Sequence, residues 1–135
     1  MKRSRTSKSW MNEHVNDNYV KQAHSDGYRS RAAYKLIEAN QKFKLLSKNM
    51  IVVDLGSSPG SWSQAAGNII GSQGKIFALD ILEMQPIRNV TFIKGDFREE
   101  LVLHTLENKL GDLKVDLVIS DMAPNIRGIK TKDQA

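Results

Sequence analysis

Short apolar runs separated by amphipathic stretches form the pattern of hydrophobic and polar positions along this chain. Four runs read as β-strands: MIVVDL (50–55), KIFALD (75–80), VTFIKG (90–95) and VDLVISD (115–121). Apolar residues recur at helical spacing in three further segments, SRAAYKLIEANQKF (30–43), 61–70 and 97–110. Near-continuous apolar strands that alternate with helices are typical of a parallel sheet covered on both faces. The sequence therefore predicts an α/β fold of the doubly wound type.

The segment 30–43 is predicted to be a helix that Ser30 caps. Its apolar positions recur at roughly helical spacing: Ala33, Leu36, Ile37 and Phe43. Arg31 and Lys35 are four residues apart and would share one face of this helix. An ordinary surface ion pair between Lys35 and Glu38 is the alternative reading of that face.

Each predicted strand ends at or close to an acidic residue. These residues are Asp54, Asp80, Asp96 and Asp121. Ligands of open α/β sheets bind outside the carboxyl ends of the strands, where the strand order switches. Any single acid at such a position serves equally well to cap the next helix. The convergence of all four favours a ligand site.

The turn after the first strand, Gly56-Ser-Ser-Pro-Gly60, is suited to close approach of a ligand to the backbone. It is not the GxGxxG of dinucleotide-binding folds, because position 58 is serine, and it is not a P-loop, because no GK[ST] follows. A second acid, Asp80, lies 24 residues after Gly56 and is placed to hold ribose hydroxyls. This arrangement favours S-adenosylmethionine over NAD.

A second motif, SDMAPN (120–125), puts a carboxylate and an amide at the end of a central strand. Its proline fixes the turn there. The position is where a methyl group would be transferred. The simpler reading is a turn that ends a strand.

Composition narrows the class of protein. A chain of 135 residues with 40% apolar and 26% charged residues is the size of one soluble domain. No apolar run reaches the length of a membrane span and no signal peptide is recognisable, so a cytoplasmic location is expected. The chain has no cysteine, and its three histidines lack metal-ligand spacing, so no metal is expected.

Positive charge is concentrated in the first third of the chain. Residues 1–50 hold eleven Lys/Arg against four Asp/Glu, whereas residues 51–135 hold nine against eleven. A basic segment neutralises phosphates, so nucleic acid is the expected partner, with Arg29, Arg31 and Lys35 as contacts. For residues 1–9 a solubilising tail is an equally good reading.

Five stretches together resemble the FtsJ (RrmJ) ribosomal RNA 2′-O-ribose methyltransferases. They are YRSRAAYKL (28–36), VVDLGSSPGSWSQ (52–64), ALDILEM (78–84), GDFREE (95–100) and SDMAPN (120–125). The resemblance implies a Rossmann-like methyltransferase fold and 2′-O-methylation of a ribose, in a uridine of 23S-type rRNA. Free rRNA or the large ribosomal subunit would be the substrate.

The same resemblance implies roles for particular residues. The S-adenosylmethionine pocket would involve Gly56, Gly60, Trp62, Asp80, Asp96 and Asp121. Asp96 would lie near the adenine, and Trp62 would line the pocket. In the family's catalytic Lys-Asp-Lys-Glu set, Lys35 matches the first lysine and Asp121 the aspartate. Lys35 would act either as a base or as a charged group that orients the ribose oxygen.

The sequence departs from the family's pattern after IRGIKTKDQA, where the second lysine and the glutamate are not reached. We therefore expect a basic, partly disordered leader at 1–28 and the N-terminal two-thirds of a methyltransferase domain at 29–135, without its last strands. Two other functions remain as alternatives. One is a non-catalytic rRNA-binding or ribosome-assembly protein, and the other is an NAD-dependent oxidoreductase, which should carry GxGxxG.

Overall fold

The computed structural model describes residues 18–121. Its elements in chain order are α1 (Asn18–Asp26), α2 (Ala32–Phe43), β1 (Ile51–Leu55), α3 (Ser61–Ile70), β2 (Lys75–Asp80), β3 (Val90–Lys94), α4 (Glu100–Leu110) and β4 (Leu117–Ser120). The predicted leader up to residue 17 and the part of SDMAPN after Asp121 lie outside the described residues.

Each strand and helix predicted from the pattern is present, with ends shifted by three residues at most. The pattern did not predict α1, which falls inside the predicted leader. Among the residues of this helix whose burial the structure describes, Ala23 alone is fully buried, and most of the helix is polar, so its sequence gives little apolar signal.

The four strands form one parallel sheet in the order β3-β2-β1-β4. Strand β1 is central: Val52 pairs with Ile76 of β2 and with Leu117 of β4. From β1 the chain adds β2 and then β3 on one side of the sheet, and it then crosses over to place β4 on the opposite side of β1. The direction in which strands are added therefore changes at β1. This is the switch point at which ligands of such sheets bind.

Helices cover both faces of the sheet, which confirms the predicted layering. On one face Val52 and Ile76 pack with Leu36 of α2 and Ile70 of α3. On the other face, Leu106 of α4 packs against a strand cluster made up of Ile51, Val53, Phe77, Leu79 and Ile93. Val118 of β4, the partner of Val53 in register, stays 55% exposed on this second face.

The start of α2 differs from the prediction that Ser30 caps it. Arg31 occupies the N-cap position, and no side chain caps the helix. The Ser30 hydroxyl instead accepts a long hydrogen bond, 3.3 Å, from the Ala32 N–H and pairs with the Ser61 hydroxyl at 2.8 Å. Ser30 therefore joins the starts of α2 and α3, which brings both helices to the carboxyl edge of the sheet.

Candidate active site at the carboxyl edge of the sheet

The parallel sheet places the four predicted acids at the same edge. Asp54 lies near the end of β1, Asp80 ends β2, Asp121 follows β4 and Asp96 follows β3. The charges of Asp80 and Asp121 both raise the pKa of Asp54, so these three carboxylates form one electrostatic group. The alternative that the acids cap helices does not hold for α3 or α4, whose N-cap residues are Gly60 and Glu99.

Hydrogen bonds connect the glycine turn between β1 and α3 to the end of β2. The N–H groups of Gly56 and Ser57 donate to the Leu79 carbonyl oxygen at 2.8 and 3.0 Å. The Ser58 N–H donates to Asp80 Oδ2 at 2.8 Å, and the Leu82 N–H donates to Asp80 Oδ1 at 2.9 Å. Each oxygen of Asp80 thus retains a lone pair for a further donor, as recognition of ribose hydroxyls requires.

Gly60 ends the turn at a φ of 117°, a backbone region that side chains disfavour. A Cβ there would lie 2.7 Å from Ile87 Cδ1 and 3.1 Å from an Arg29 guanidinium nitrogen. The backbone conformation therefore favours glycine, and a Cβ would in addition require the ends of the Ile87 and Arg29 side chains to shift.

Gly60→Ala is expected to lower the free energy of unfolding by about 2–4 kcal/mol, because backbone strain and overpacking add together. Gly111→Ala is the matched control, since Gly111 also has a positive φ, 59°, but a Cβ there meets nothing within 4 Å. Urea denaturation of both variants measures the difference. Equal losses for the two would show that the contacts around Gly60 do not matter.

Arg29 serves the structure of this turn. Its guanidinium donates to the carbonyl oxygens of Pro59, Gln85 and Pro86 at 2.7–2.8 Å. It thereby joins the segment before α2 to the glycine turn and to the loop between β2 and β3. Arg29 was expected to contact RNA, but three of its five guanidinium N–H groups donate to the protein backbone, and this geometry favours a structural role.

Trp62 lies at the start of α3, half-buried, where its indole N–H donates to the Ala32 carbonyl oxygen at 2.7 Å. It lines a cleft of about 90 Å³ together with Asp54, Gly56 and Asp121. Whole-ligand pockets measure roughly 300–1,000 Å³. The cleft therefore has room for one end of a cofactor but not for a whole cofactor.

Asp54 is the most perturbed group of the site. It is 1% exposed, its Oδ2 accepts a hydrogen bond from the Ser63 hydroxyl at 2.7 Å, and its Oδ1 has no partner in the described part of the chain. Burial is the main reason that the pKa of Asp54 rises to about 7, and the carboxylates of Asp121 and Asp80 raise it further. The family resemblance did not single out this residue.

Lys35 meets Asp121 across the edge of the sheet. Lys35 Nζ lies 3.1 Å from Asp121 Oδ1, and the lysine side chain is 72% exposed. The ion pair of Lys35 is therefore formed with Asp121, which joins the two residues that the resemblance assigned to catalysis. An exposed pair of this kind contributes about 1 kcal/mol or less to stability.

An open groove of about 530 Å³ runs along α2 beside this pair. Arg31, Tyr34, Lys35 and Glu38 line it, so Arg31 and Lys35 share one face of the helix as predicted. The groove begins at Ser30 and Ala32, which also line the cleft. Cleft and groove are thus neighbours, with Lys35 in the groove and its partner Asp121 in the cleft.

Asp96 lies at the outer strand, where both of its oxygens accept hydrogen bonds from the Arg98 guanidinium at 2.7–3.2 Å. These bonds, together with one from the Arg98 backbone N–H, lower the pKa of Asp96 to about 2. The proximity to adenine that the resemblance implies would require Asp96 to accept a further donor beside Arg98.

A larger depression, about 700 Å³, follows the outer side of α3 and is lined by Asn68, Gly71 and Arg88. None of the four strand-end acids lines it, so we place the site at the smaller cleft. Within residues 18–121 no group of three or more His, Asp or Glu side chains has a metal-binding arrangement. None of the helices in this range combines the length and the apolar character that crossing a membrane requires.

Comparison with known proteins gives consistent matches. The family profile described as FtsJ-like methyltransferase matches residues 28–135. The ribosomal RNA large subunit methyltransferase E of Chromobacterium violaceum is 58% identical over 135 residues, which is 100% of this chain and 66% of the relative. The protein of the same name from Methylobacillus flagellatus is 60% identical, over 100% of this chain and 65% of its own length. The chain thus spans just under two thirds of these relatives.

A solved structure shares the architecture. A crystal structure described as that of a ribosomal RNA methyltransferase from Plasmodium falciparum superposes with a TM-score of 0.63 at 42% identity. The match covers 71% of this chain and 57% of that one.

Proposed function

The chain belongs to the FtsJ-like methyltransferase family, and we propose that it acts in the S-adenosylmethionine-dependent 2′-O-methylation of a ribose, in a uridine of large-subunit rRNA. The observation that carries this proposal is the Lys35–Asp121 pair, which stands where the acid-lined cleft meets the groove along α2. A cofactor in the cleft and a nucleotide in the groove would meet at this pair.

The residues of the cleft fit the proposed cofactor. When bound, S-adenosylmethionine supplies a methyl group that its sulfonium has already activated. Asp80 would hold the ribose hydroxyls of the cofactor with its remaining lone pairs. Gly56 and Gly60 would let the backbone approach the cofactor, Trp62 would line the cleft, and Asp96 would lie at the adenine end.

Two tasks would remain for the protein, to position the target ribose hydroxyl and to accept or stabilise the proton of that hydroxyl. Lys35 projects from α2 into the groove, where the target 2′-hydroxyl would lie. It would either accept the hydroxyl proton or stay charged and orient the oxygen, with Asp121 fixing its position in both cases. Positioning accounts for much of the acceleration expected of such a transfer.

Binding of rRNA would use the basic side of the molecule. Arg31 and Lys35 line the groove, and residues 1–50 carry an excess of seven positive charges. Contacts to phosphates make such binding salt-dependent, and the 2′-hydroxyl distinguishes RNA from DNA. The large ribosomal subunit in the cytoplasm is the proposed substrate.

The test combines cofactor binding with methyl transfer. We expect calorimetry to show that the chain binds S-adenosylmethionine and that Asp80→Ala weakens binding by about 1–3 kcal/mol, whereas Asp112→Ala, at an exposed position, has no effect. For transfer, the chain is fused to the part of the Chromobacterium violaceum relative that lies beyond the match. Labelled cofactor and undermethylated large subunits then report activity.

We expect the fused protein to methylate the subunits and the 135-residue chain alone to be at least 100-fold slower, since the resemblance places half of the catalytic set in the fused part. Binding of subunits without methylation by the fused protein would favour a non-catalytic assembly role. Absence of cofactor binding would contradict the proposed enzyme class.

A further inference from the structure

We propose, on the basis of the rRNA substrate proposed above, that the end of α2 and the turn after it bind single-stranded RNA. They lie at the amino edge of the sheet, opposite to the candidate active site, because the turn leads into the start of β1. Phe43 would stack on a base, while Lys44 and Lys48 would bind phosphates of the same strand. We call these three exposed residues the amino-edge surface. The target nucleotide would lie in the groove at Lys35, and nucleotides near it in the RNA would lie on this surface.

The first support is an exposed aromatic ring among positive charges. Phe43, the last residue of α2, is 63% exposed, and Lys42 Nζ lies 5.3 Å from the centre of its ring. A single exposed apolar side chain is common on protein surfaces. A ring between two lysines in sequence differs, because proteins that bind single-stranded nucleic acids combine aromatic faces for the bases with cations for the phosphates.

The second support is the distribution of charge at this edge. The segments 44–50, 71–75 and 87–89 lead into three of the parallel strands and hold no acidic residue. The cations of these segments are all exposed: Lys44, Lys48, Lys75 and Arg88. None of the four forms an ion pair with another residue of the described range 18–121. The amino edge therefore attracts a polyanion such as an RNA backbone.

The third support is that the backbone that presents the two lysines is held in place. The Lys44 N–H donates to the Asn40 carbonyl oxygen at 2.8 Å, and Asn40 Oδ1 accepts the Leu46 N–H at 2.7 Å. Leu46 is 6% exposed and packs in the core, so it anchors the turn between the lysines. The Lys48 side chain lies along Gly71, where a Cβ would be 3.5 Å from the lysine Cδ. A surface that is ordered before binding loses less conformational entropy when RNA binds.

The fourth support is that α2 connects the amino-edge surface with the groove. Lys35 and Glu38 line the groove, and Phe43 follows at the end of the same helix. Glu38 is the one acidic residue of α2, so no further acid separates the groove from the surface along the helix. At 1.5 Å per residue, Phe43 lies about 12 Å along the helix axis from Lys35. About four stacked nucleotides of one strand cover this distance.

Fluorescence anisotropy with a labelled 12-nucleotide oligouridine and a 12-base-pair RNA duplex tests the stacking. Phe43→Ala should weaken binding of the single strand by about fivefold or more, the lower end of the range for a base stacked on an aromatic ring. Binding of the duplex should change by less than about twofold, since its bases are already stacked on each other. Phe43→Trp should bind the single strand at least as tightly as the parent. No loss with alanine, or equal losses for strand and duplex, overturns the inference.

Salt dependence tests the two lysines separately from the ring. Each phosphate neutralised on a single strand contributes about 0.7 to the slope of log affinity against log salt concentration. Lys44→Gln combined with Lys48→Gln should therefore reduce this slope by about 1.4, whereas Phe43→Ala should leave it unchanged. The matched control is Lys109→Gln combined with Lys114→Gln, which removes two exposed lysines on the side of α4 and should keep the parental slope. Equal reductions by the two pairs overturn the inference, since only the general charge would then matter.

These binding assays do not depend on methyl transfer, so the two proposals can fail separately. If the fused protein methylates large subunits while the Phe43 and lysine variants bind RNA as the parent does, the amino-edge surface is not an RNA contact and the proposed function stands. If the chain shows the expected stacking and salt effects but binds no S-adenosylmethionine, the surface stands and the enzyme class fails. If the unmodified chain binds neither RNA, the proposed rRNA substrate and the amino-edge surface fail together.

Discussion

Lys35→Met, in the fused protein of full family length, is expected to slow methyl transfer by roughly 10²–10⁴-fold, the range typical of a positioned proton-transfer or orienting group. Affinity for S-adenosylmethionine should change by less than about threefold, since the lysine side chain lies on the groove side of Asp121 and is 72% exposed. Single-turnover assays with saturating cofactor separate the two effects.

Lys42→Met is the matched control, because Lys42 is on the same helix and is also exposed. If both substitutions slow transfer equally, the effect belongs to the general charge of α2. Lys35→Arg then distinguishes the two roles left open. An orienting cation should be largely replaced by arginine, whereas a base should not, because arginine stays protonated at every accessible pH.

The second large effect concerns the pH dependence of folding. Asp54 has a pKa of about 7 in the folded chain against 3.8 as the ordinary value, so the folded state holds this proton more tightly than the unfolded state does. Its contribution to stability is therefore fully present below about pH 4 and is lost as the pH rises through 7. The free energy of unfolding should fall by up to about 1.4 kcal/mol per pH unit in that window.

Urea denaturation of the ligand-free protein at half-unit steps from pH 4 to 8 measures this slope. Asp54→Asn should flatten the profile and be more stable than the parent at pH 8, since it replaces a buried charge by a neutral group of similar shape. Asp112→Asn, at an exposed position, should keep the parental slope. Asp96 does not interfere, because its pKa of about 2 confines its contribution to more acidic solutions.

The fold was predictable from sequence because its two inner strands, β1 and β2, are buried on both faces. In KIFALD the four residues between the terminal lysine and aspartate are all apolar and buried. The turn at Gly56–Gly60 separates strand from helix within five positions. Helix α1 escaped prediction because it is mostly polar and, among its residues whose burial is described, only the small residue Ala23 is buried. Local patterns thus succeed where burial is extensive and fail where few side chains define an element.

For the proposed site, the sequence predicted that the acids lie at one edge of the sheet but not which contacts each side chain makes. Lys35 and Asp121 are 86 positions apart, and in the sequence only the family resemblance, which assigns both to one catalytic set, connects them. Arg29 looked like a free basic residue, because nothing local shows that three backbone carbonyls from two distant loops converge on it. The orphaned oxygen of Asp54 likewise depends on what packs around it.

The central position of β1 also has a consequence for how the chain folds. Strand β4 pairs with β1 across a separation of 65 residues, a contact that the Ile51 N–H and the Asp116 carboxylate reinforce at 2.8 Å. Pairing of strands that are far apart in sequence costs conformational entropy, because the intervening chain must close into a loop, and it slows folding. We expect β1, α3 and β2 to form an early nucleus and β4 to join late. The Lys35–Asp121 pair would then assemble at the last stage, so partly folded chains would lack the pair that we propose for catalysis.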